Sequence, residues 1–189
     1  LIAIDNLSFV AKKDHITSII GPNGAGKTTV FNCLTGFYKA TAGSMYLNKD
    51  NNKMDLKKFS DFKVAQKAGV ARTFQNIRLF PQMSVLENMM VAQHNKLMKA
   101  SGFSILGLIN SKSYLQQEKE AMEISKYWLD IIGLTNRADD NAGDLPYGDQ
   151  RKLEIVRAMC IEPHLLCLDE PAAGLNAKES AEVNKLLKF

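Results

Sequence analysis

The hydrophobic residues of the first third follow a strand, loop and helix pattern. Residues 16–20 form a β-branched run that ends at a Gly-Pro pair, so they predict a buried strand followed by a loop. From Lys27 onward hydrophobic residues recur at helical spacing, and Gly36 stands where such a helix would end. Residues 44–47 and 69–74 predict two weaker strands. A strand, a glycine loop and a helix in this order are typical of the start of a β-α unit.

The middle third changes to a helical pattern. Ser84 and the glutamate three residues later form a capping-box sequence, which predicts a helix running to about residue 98. A similar sequence at Ser113 predicts a long amphipathic helix that ends at Gly133. The residues between these helices, 99–111, are predicted to form a loop-rich insertion.

The last third returns to a helix followed by a strand. A helix is predicted after Gly148, and Pro163 stops it. Leu165–Leu168 is apolar throughout and leads into Asp169 and Glu170. A strand that is apolar on both faces belongs in the centre of a parallel sheet covered by helices, so the pattern predicts an α/β fold.

Composition limits the classes of function to consider. The chain has 189 residues, of which 46% are hydrophobic and 23% charged, as expected for one ordinary globular domain. Its net charge of +4 is spread along the chain, which favours a solvated surface over a nucleic-acid interface. No apolar run is long enough to span a bilayer. Cys33, Cys160 and Cys167 lack metal-ligand spacing and are interpreted as buried hydrophobic residues of a reducing compartment.

A glycine-rich loop carries the clearest chemical signal. Residues 21–28, GPNGAGKT, fit the phosphate-binding pattern GxxxxGK[ST] at every fixed position. The glycines allow successive backbone N–H groups to point at phosphate oxygens, and the following helix adds its positive end. Lys27 would reach the β- and γ-phosphates of ATP, and the Thr28 hydroxyl would bind Mg²⁺. The candidate nucleotide-binding residues of this loop are Gly21, Pro22, Asn23, Gly24, Ala25, Gly26, Lys27, Thr28 and Thr29.

An acidic pair follows the last predicted strand. Alone, Asp169 and Glu170 could simply begin a helix, but a chain that also has a phosphate-binding loop needs such residues for catalysis. P-loop enzymes complete the Mg²⁺ site with an acidic residue at a strand end and position the attacking water nearby. One carboxylate of the pair would therefore hold the metal shell while the other polarises water.

Three further segments carry a resemblance to a known family. Gln75 within RTFQNIRLF, residues 145–150 (LPYGDQ) and residues 165–176 (LLCLDEPAAGLN) resemble the Q-loop, the signature, and the Walker B motif with the D-loop of ATP-binding cassette (ABC) proteins. Within that superfamily the sequence of these segments is most similar to the ATPase subunit of the high-affinity branched-chain amino acid importer. The insertion at 99–111 also resembles the longer helical lobe of that subfamily.

The resemblance implies a fold, and it covers nearly the whole chain. We expect one ABC ATPase domain (1–189) of the α/β class: a P-loop NTPase core with a mainly parallel sheet flanked by helices, plus an inserted α-helical subdomain. Residues 1–75 and 143–189 would form the core, and residues 76–142 the subdomain. The family's adenine-stacking aromatic residue and switch histidine have no match here, so we expect them beyond the two ends and the chain to be truncated at both.

The resemblance also implies residue roles. Gln75 would contact the Mg²⁺ shell and the attacking water, Asp169 would anchor Mg²⁺ through water, and Glu170 would be the general base. Lys27 joins Glu170 and Gln75 as a catalytic residue, and Thr28 joins Gln75 and Asp169 as a Mg²⁺ residue. The signature would cover the γ-phosphate bound by an opposite subunit, and its candidate residues are Leu145, Pro146, Tyr147 and Gly148.

The chain departs from the family's pattern in the signature and the D-loop. The signature reads LPYGD where LSGGQ is common, so Pro146 lacks the serine hydroxyl and one backbone N–H donor. Asp149 places a carboxylate where glutamine is usual, either near a polyphosphate or as a helix cap. In the D-loop, Asn176 stands where aspartate is common.

The function implied by the resemblance is ATP binding and hydrolysis that power a transporter. The implied partners are a second ABC ATPase subunit, two integral-membrane permease subunits and, indirectly, a solute-binding protein, with no nucleic acid. The implied location is the cytoplasmic face of the plasma membrane. Two alternatives stay open: a related transporter ATPase with other cargo, such as urea or an exported lipid or lipopolysaccharide, and a non-transport ABC ATPase.

Overall fold

The structure, a computed structural model, describes most of the chain. The described residues are 2–49, 52–59, 62–100 and 112–188. They divide into two compact units, Leu1–Val70 and Ala71–Phe189, each of which is considered by itself. The insertion predicted at 99–111 lies outside the described residues, apart from two positions at the end of a helix.

The first unit begins its regular structure with the helix predicted from Lys27. This helix, α1 (Lys27–Leu34), is capped by Thr35. Gly36 follows in the left-handed region, with a φ of 82°, as the sequence predicted for a helix end. A 3₁₀ turn (Leu56–Lys58) and a π-helical turn (Val64–Ala68) lie further along the chain.

A β-hairpin forms the sheet of the first unit. β1 (Tyr46–Lys49) and β2 (Asn52–Asp55) pair in antiparallel register. The ammonium of Lys53 lies 4.0 Å from the centre of the Tyr46 ring, a cation–π contact that joins the two strands. The strand predicted at 44–47 is therefore confirmed, although it begins two residues later.

The strand predicted at 16–20 is wrong. The structure assigns these residues to no regular element, and Ile16 and Ile20 are 65% and 90% exposed. A β-branched run forms a strand only where a neighbouring strand can pair with its backbone and cover its side chains. Within the described residues no backbone hydrogen bond of this kind reaches residues 16–20.

Two strands pair in a second sheet. β3 (Val70–Thr73), predicted at 69–74, is hydrogen-bonded to β4 (Leu165–Leu168), predicted at the same residues. β4 is less covered than expected, because only Cys167 of this strand is fully buried. Among the described strands β3 is its one neighbour, so the packing that would bury both faces is incomplete there.

Helices of the second unit build the main hydrophobic core. They are α2 (Val85–Ala92), α3 (His94–Ala100), α4 (Lys112–Ile131), α5 (Tyr147–Met159) and α6 (Ala177–Leu186), with 3₁₀ turns at Thr135–Arg137 and Ala142–Asp144. The buried core consists of Val85, Met89, Leu129, Ile132, Leu134, Ala142, Leu145, Leu153, Val156 and Cys160. None of the helices in the described ranges is long and apolar enough to cross a membrane.

The capping box predicted at Ser84 is present. Its hydroxyl accepts a hydrogen bond from the Glu87 N–H at 3.1 Å, and its own N–H donates to the Glu87 carboxylate at 2.7 Å. The predicted helix to residue 98 is, however, two helices, because α2 stops at Gln93.

Gln93 accounts for that interruption. It is 1% exposed, and its side-chain amide donates to the Ala121 carbonyl and the Ser125 hydroxyl of α4, both at 3.0 Å. The break at Gln93 places the amide nitrogen of this buried side chain against two hydrogen-bond acceptors on α4.

The remaining helices begin close to their predicted starts, and α5 ends at Met159, before the predicted stop at Pro163. α4 begins at Lys112 among the described residues, beside the predicted start at Ser113. It ends where predicted, since Gly133 has a φ of 71° and the Leu134 N–H closes the turn onto Leu129 at 2.8 Å. α5 begins at Tyr147, one residue before Gly148.

Asn88 ties α2 to the chain that precedes it. Its side chain is fully buried and accepts a hydrogen bond from the Phe80 N–H at 2.9 Å. Its amide also donates to the carbonyls of Phe80 and Ser84, both at 3.0 Å. The carbonyls of Phe80 and Ser84 also accept backbone hydrogen bonds, from the N–H groups of Met83 and Asn88, so the Phe80 N–H is the backbone group for which the Asn88 side chain is the partner.

We expect Asn88→Ala to lower the free energy of unfolding by about 1–3 kcal/mol, because it removes a fully buried side chain and leaves the Phe80 N–H without its partner. The measurement is urea unfolding followed by circular dichroism. The matched control is Asn184→Ala, which removes an exposed asparagine from α6 and should change stability by no more than about 0.5 kcal/mol. Equal effects of the two substitutions would contradict the role given to Asn88.

Candidate functional site

The glycine-rich loop before α1 adopts a conformation that its glycines make possible. Gly24 and Gly26 both have a φ of 83°, in the left-handed region that other residues rarely adopt. Gly26 is the N-cap of α1, and a Cβ atom there would lie 2.5 Å from the Ala3 carbonyl oxygen. No larger residue fits this position without moving the backbone.

The start of α1 presents positive charge to the loop. The Lys27 ammonium folds back and donates to the carbonyls of Gly21 at 2.8 Å and Pro22 at 2.9 Å. The first turn of α1 carries no acidic residue, so its unpaired N–H groups meet no carboxylate of their own turn. The positive end of a helix, a lysine and a glycine loop together are suited to binding phosphate.

Most of the loop is accessible to a ligand. Exposed residues are Gly21, Pro22, Asn23, Gly24, Ala25 and Thr28, and half-buried ones are Gly26, Lys27 and Thr29. The exposed Thr28 hydroxyl is an oxygen donor of the kind that Mg²⁺ prefers.

In the second unit, Asp169 lies directly after β4 and is buried. Its carboxylate accepts a hydrogen bond from the Arg72 guanidinium of β3 at 3.0 Å, and both side chains are less than 10% exposed. Burial raises the pKa of the nearby Cys167 thiol to about 11, an effect that the Arg72 charge reduces and the Asp169 charge reinforces. The thiol is therefore protonated at neutral pH and is not a nucleophile.

The structure brings Gln75 and Glu170 together. Each follows one strand of the β3–β4 pair, and the Gln75 amide donates to the Glu170 carboxylate at 3.1 Å. Glu170 has a φ of 49°, a left-handed conformation that costs energy for a residue with a side chain. Asn6, Asp14 and Glu162 also have a positive φ but belong to no candidate motif, so this conformation supports Glu170 only together with its contact to Gln75.

The signature segment lies at the start of α5. Pro146 caps the helix, and Tyr147 and Gly148 form its first turn. The Tyr147 hydroxyl donates at 3.3 Å to the carbonyl of Ala173, the first residue of the segment that resembles the D-loop (residues 173–176). A Cβ at Gly148 would lie 2.7 Å from the Glu179 carboxylate, so Gly148 also makes room for α6.

Two of the candidate signature residues are buried. Leu145 is 4% exposed and belongs to the hydrophobic core, and Gly148 is buried against Glu179 of α6. Nucleotide binding by Leu145, Pro146, Tyr147 and Gly148 stays a prediction.

Mg²⁺ would depend here on few protein ligands. Within the described ranges no three His, Cys, Asp or Glu side chains form a metal-binding group. Thr28 of the first unit and Gln75 and Asp169 of the second unit each offer an oxygen donor of the kind that Mg²⁺ takes, and their joint role at one Mg²⁺ ion stays a prediction.

Sequence reasoning missed the arginines and the glutamate around this site. Arg72 pairs with Asp169, and the charged residues Arg151, Glu154 and Arg157 of α5 contact the chain that follows β3. The available signal was the i, i+3, i+6 spacing of the last three, which places them on one helix face.

Comparisons with known proteins agree on one family. A family model described as ABC transporter matches residues 4–173. The high-affinity branched-chain amino acid transport ATP-binding protein LivG of Salmonella typhimurium is 48% identical over 187 residues, which are 99% of this chain and 70% of LivG. The similarly described BraF of Pseudomonas aeruginosa is 46% identical over the same shares of both chains.

Solved structures agree as well. A nucleotide-free ATP-binding cassette from an ABC transporter has a TM-score of 0.75 and 30% identity, over 98% of this chain and 70% of the other. An ATP-binding cassette in its ADP conformation has a TM-score of 0.77 and 31% identity, over 98% and 69%. The predicted fold class is therefore confirmed.

We expect Gly26→Ala to weaken ATP binding by at least about tenfold, since the left-handed conformation alone costs an L-residue about 1–2 kcal/mol and the Ala3 carbonyl blocks the new methyl group. Gly43→Ala is the matched control, because Gly43 has a φ of 80° but open space around it. Titration calorimetry with Mg·ATP measures both. Parental affinity in Gly26→Ala would show that the loop does not bind phosphate.

Proposed function

Since this chain belongs to the ABC transporter family, we propose that it is the ATP-binding and ATP-hydrolysing subunit of an importer for branched-chain amino acids. The observation that carries the proposal is the phosphate-binding loop, in a chain 48% identical to an ATP-binding protein of branched-chain amino acid transport. The cargo is inferred from that likeness alone, because an ATPase subunit does not itself bind the cargo.

In this proposal the glycine-rich loop before α1 binds the phosphates. The backbone N–H groups of residues 24–26 and the first turn of α1 hold the β- and γ-phosphates. Lys27 exchanges the carbonyls of Gly21 and Pro22 for phosphate oxygens, and its charge offsets the charge of the phosphates. Mg²⁺, when bound, neutralises further phosphate charge, and Thr28, Gln75 and Asp169 are the residues that would hold it.

Glu170 and Gln75 act in the hydrolysis step. Glu170 takes a proton from water, whose oxygen attacks the γ-phosphorus while the bond to the ADP oxygen breaks, giving ADP and phosphate. The hydrogen bond of 3.1 Å between Gln75 and Glu170 supports a joint role in orienting that water. The strained backbone of Glu170 is consistent with a residue held for catalysis.

The signature acts on the ATP of a second ATPase subunit. The start of α5 offers the N–H groups of Tyr147 and Gly148 to the γ-phosphate of that subunit, and ATP thereby closes the dimer. Closure is transmitted to two integral-membrane permease subunits, which receive cargo from a solute-binding protein. The chain therefore works at the cytoplasmic face of the membrane, held there by the permeases.

In the complete protein with its ATPase partner, Glu170→Gln should lower ATP hydrolysis on the order of 10²-fold or more, because it keeps the shape of the side chain but removes the proton acceptor. ATP binding should persist, so a closed dimer should accumulate with Mg·ATP and be visible by light scattering.

Lys27→Ala is the contrasting variant and should lose both ATP binding and the dimer. Turnover near the parental rate in Glu170→Gln would remove Glu170 from the role of general base. An inactive Glu170→Gln protein that never dimerises would contradict the role given to the signature.

The cargo is tested with the whole transporter in lipid vesicles. We expect the solute-binding protein loaded with leucine, isoleucine or valine to raise the ATPase rate several-fold, since cargo delivery drives the cycle. Urea serves as the control solute and should leave the basal rate unchanged. Stimulation by urea, or by no branched-chain amino acid, would contradict the proposed cargo.

A further inference from the structure

The chain between β3 and α2 has an irregular backbone. Residues 74–80 are neither helix nor strand, so their N–H and C=O groups need partners from side chains, from other backbone groups or from water. Three charged residues on one face of α5 supply partners to four of these groups: Arg151, Glu154 and Arg157. We name these three residues the α5 clamp.

The clamp binds backbone groups on both sides of the candidate catalytic glutamine. The Arg151 guanidinium donates to the Phe74 carbonyl at 2.8 Å and to the Gln75 carbonyl at 2.6 Å. The Glu154 carboxylate accepts from the Arg78 N–H at 3.0 Å, and Arg157 donates to the Arg78 carbonyl. Charged side chains thus make the hydrogen bonds to backbone groups that a neighbouring strand makes in a sheet.

Burial makes this arrangement costly to disrupt. Arg151 is 0% exposed, Glu154 is 2% exposed, and the two form an ion pair at 2.8 Å. A buried ion pair holds its geometry because removing either partner leaves an unpaired charge away from water. The guanidinium of Arg151 also offers several donors in one plane, which a lysine ammonium cannot reproduce.

The same guanidinium reaches the D-loop through one intermediate residue. Arg151 donates to the Tyr147 hydroxyl at 3.3 Å, and that hydroxyl donates to the Ala173 carbonyl at 3.3 Å. The Tyr147 ring also covers Gly174, where a Cβ atom would lie 3.2 Å away. Tyr147, at which the signature departs from LSGGQ, therefore connects the clamp to the D-loop.

We propose that Arg151 is a positioning residue for ATP hydrolysis: it fixes the backbone at Gln75 so that the Gln75 amide meets Glu170, and it makes the Q-loop move together with the signature helix. The inference rests on the proposed function, because it assigns Arg151 a part in the same reaction. Arg151 acts through Gln75 and touches no reacting atom.

The test uses Arg151→Lys in the complete protein with its ATPase partner. This substitution keeps the charge beside Glu154 but cannot hold two carbonyls and a hydroxyl in one plane. We expect kcat to fall by roughly 10- to 100-fold, the size of effect that small misplacements cause. KM for ATP should change less than about twofold, because no contact of Arg151 lies in the phosphate loop.

A double-mutant cycle separates positioning from a general structural effect. If Arg151 acts through Gln75, Arg151→Lys should have almost no further effect on kcat in a Gln75→Ala background. If the double variant instead loses kcat by the product of the two single losses, the inference is overturned. An Arg151→Lys effect confined to KM would also overturn it. Arg137→Lys is the matched control, since Arg137 pairs with Asp140 on the surface at 2.7 Å and should leave kcat unchanged.

Two further measurements keep the inference falsifiable. If Arg151→Lys does not fold, Arg157→Lys replaces it, with a smaller loss of kcat expected in the same direction. If the parental protein itself does not hydrolyse ATP, the proposed function fails, and the clamp is then judged by amide hydrogen exchange without nucleotide. Exchange at residues 74–80 should be about tenfold faster in the clamp variant than in Arg137→Lys, and equal exchange would overturn the inference.

Discussion

The second unit depends on the hydrogen bonds that the backbone N–H and C=O groups of one irregular segment, residues 74–80, make with side chains. Residues 74–80 belong to no helix or strand. They nevertheless contain Gln75 and lead into α2, the first helix of the core. The buried Arg151–Glu154 pair holds the first part of the segment, and Asn88 holds Phe80 at its far end. Removing one member of a buried ion pair costs about 3–5 kcal/mol. The position of Gln75 is thus set by residues that would never contact a nucleotide.

The phosphate loop of the first unit relies on a different constraint. Its conformation needs left-handed backbone at Gly24 and Gly26 and close approach of the Ala3 carbonyl to Gly26, so it depends on the absence of side chains. The acidic site of the second unit instead depends on side chains whose charges are matched, as Asp169 is by Arg72. A glycine motif is therefore visible in a sequence, whereas matched charges far apart in the chain are not.

This difference explains how much could be predicted. α1, the capping box at Ser84 and the end of α4 at Gly133 were predicted because each depends on a few neighbouring residues. The strand expected at 16–20 failed because strands depend on a partner elsewhere in the chain. The break at Gln93 was missed because it depends on Ala121 and Ser125, about thirty residues further along the chain. The same reasoning applies to the site. Sequence motifs identified the candidate residues, whereas only the fold identified the residues that they contact.

The central claim is that this chain contributes to an ATP-hydrolysing site that uses Mg²⁺. The most direct measurement is release of inorganic phosphate from ATP by the complete protein with its ATPase partner, with Mg²⁺ present and after chelation. We expect continuous release of phosphate with matching formation of ADP, and loss of both when Mg²⁺ is removed. ATP binding without phosphate release, or release that persists without Mg²⁺, would contradict it.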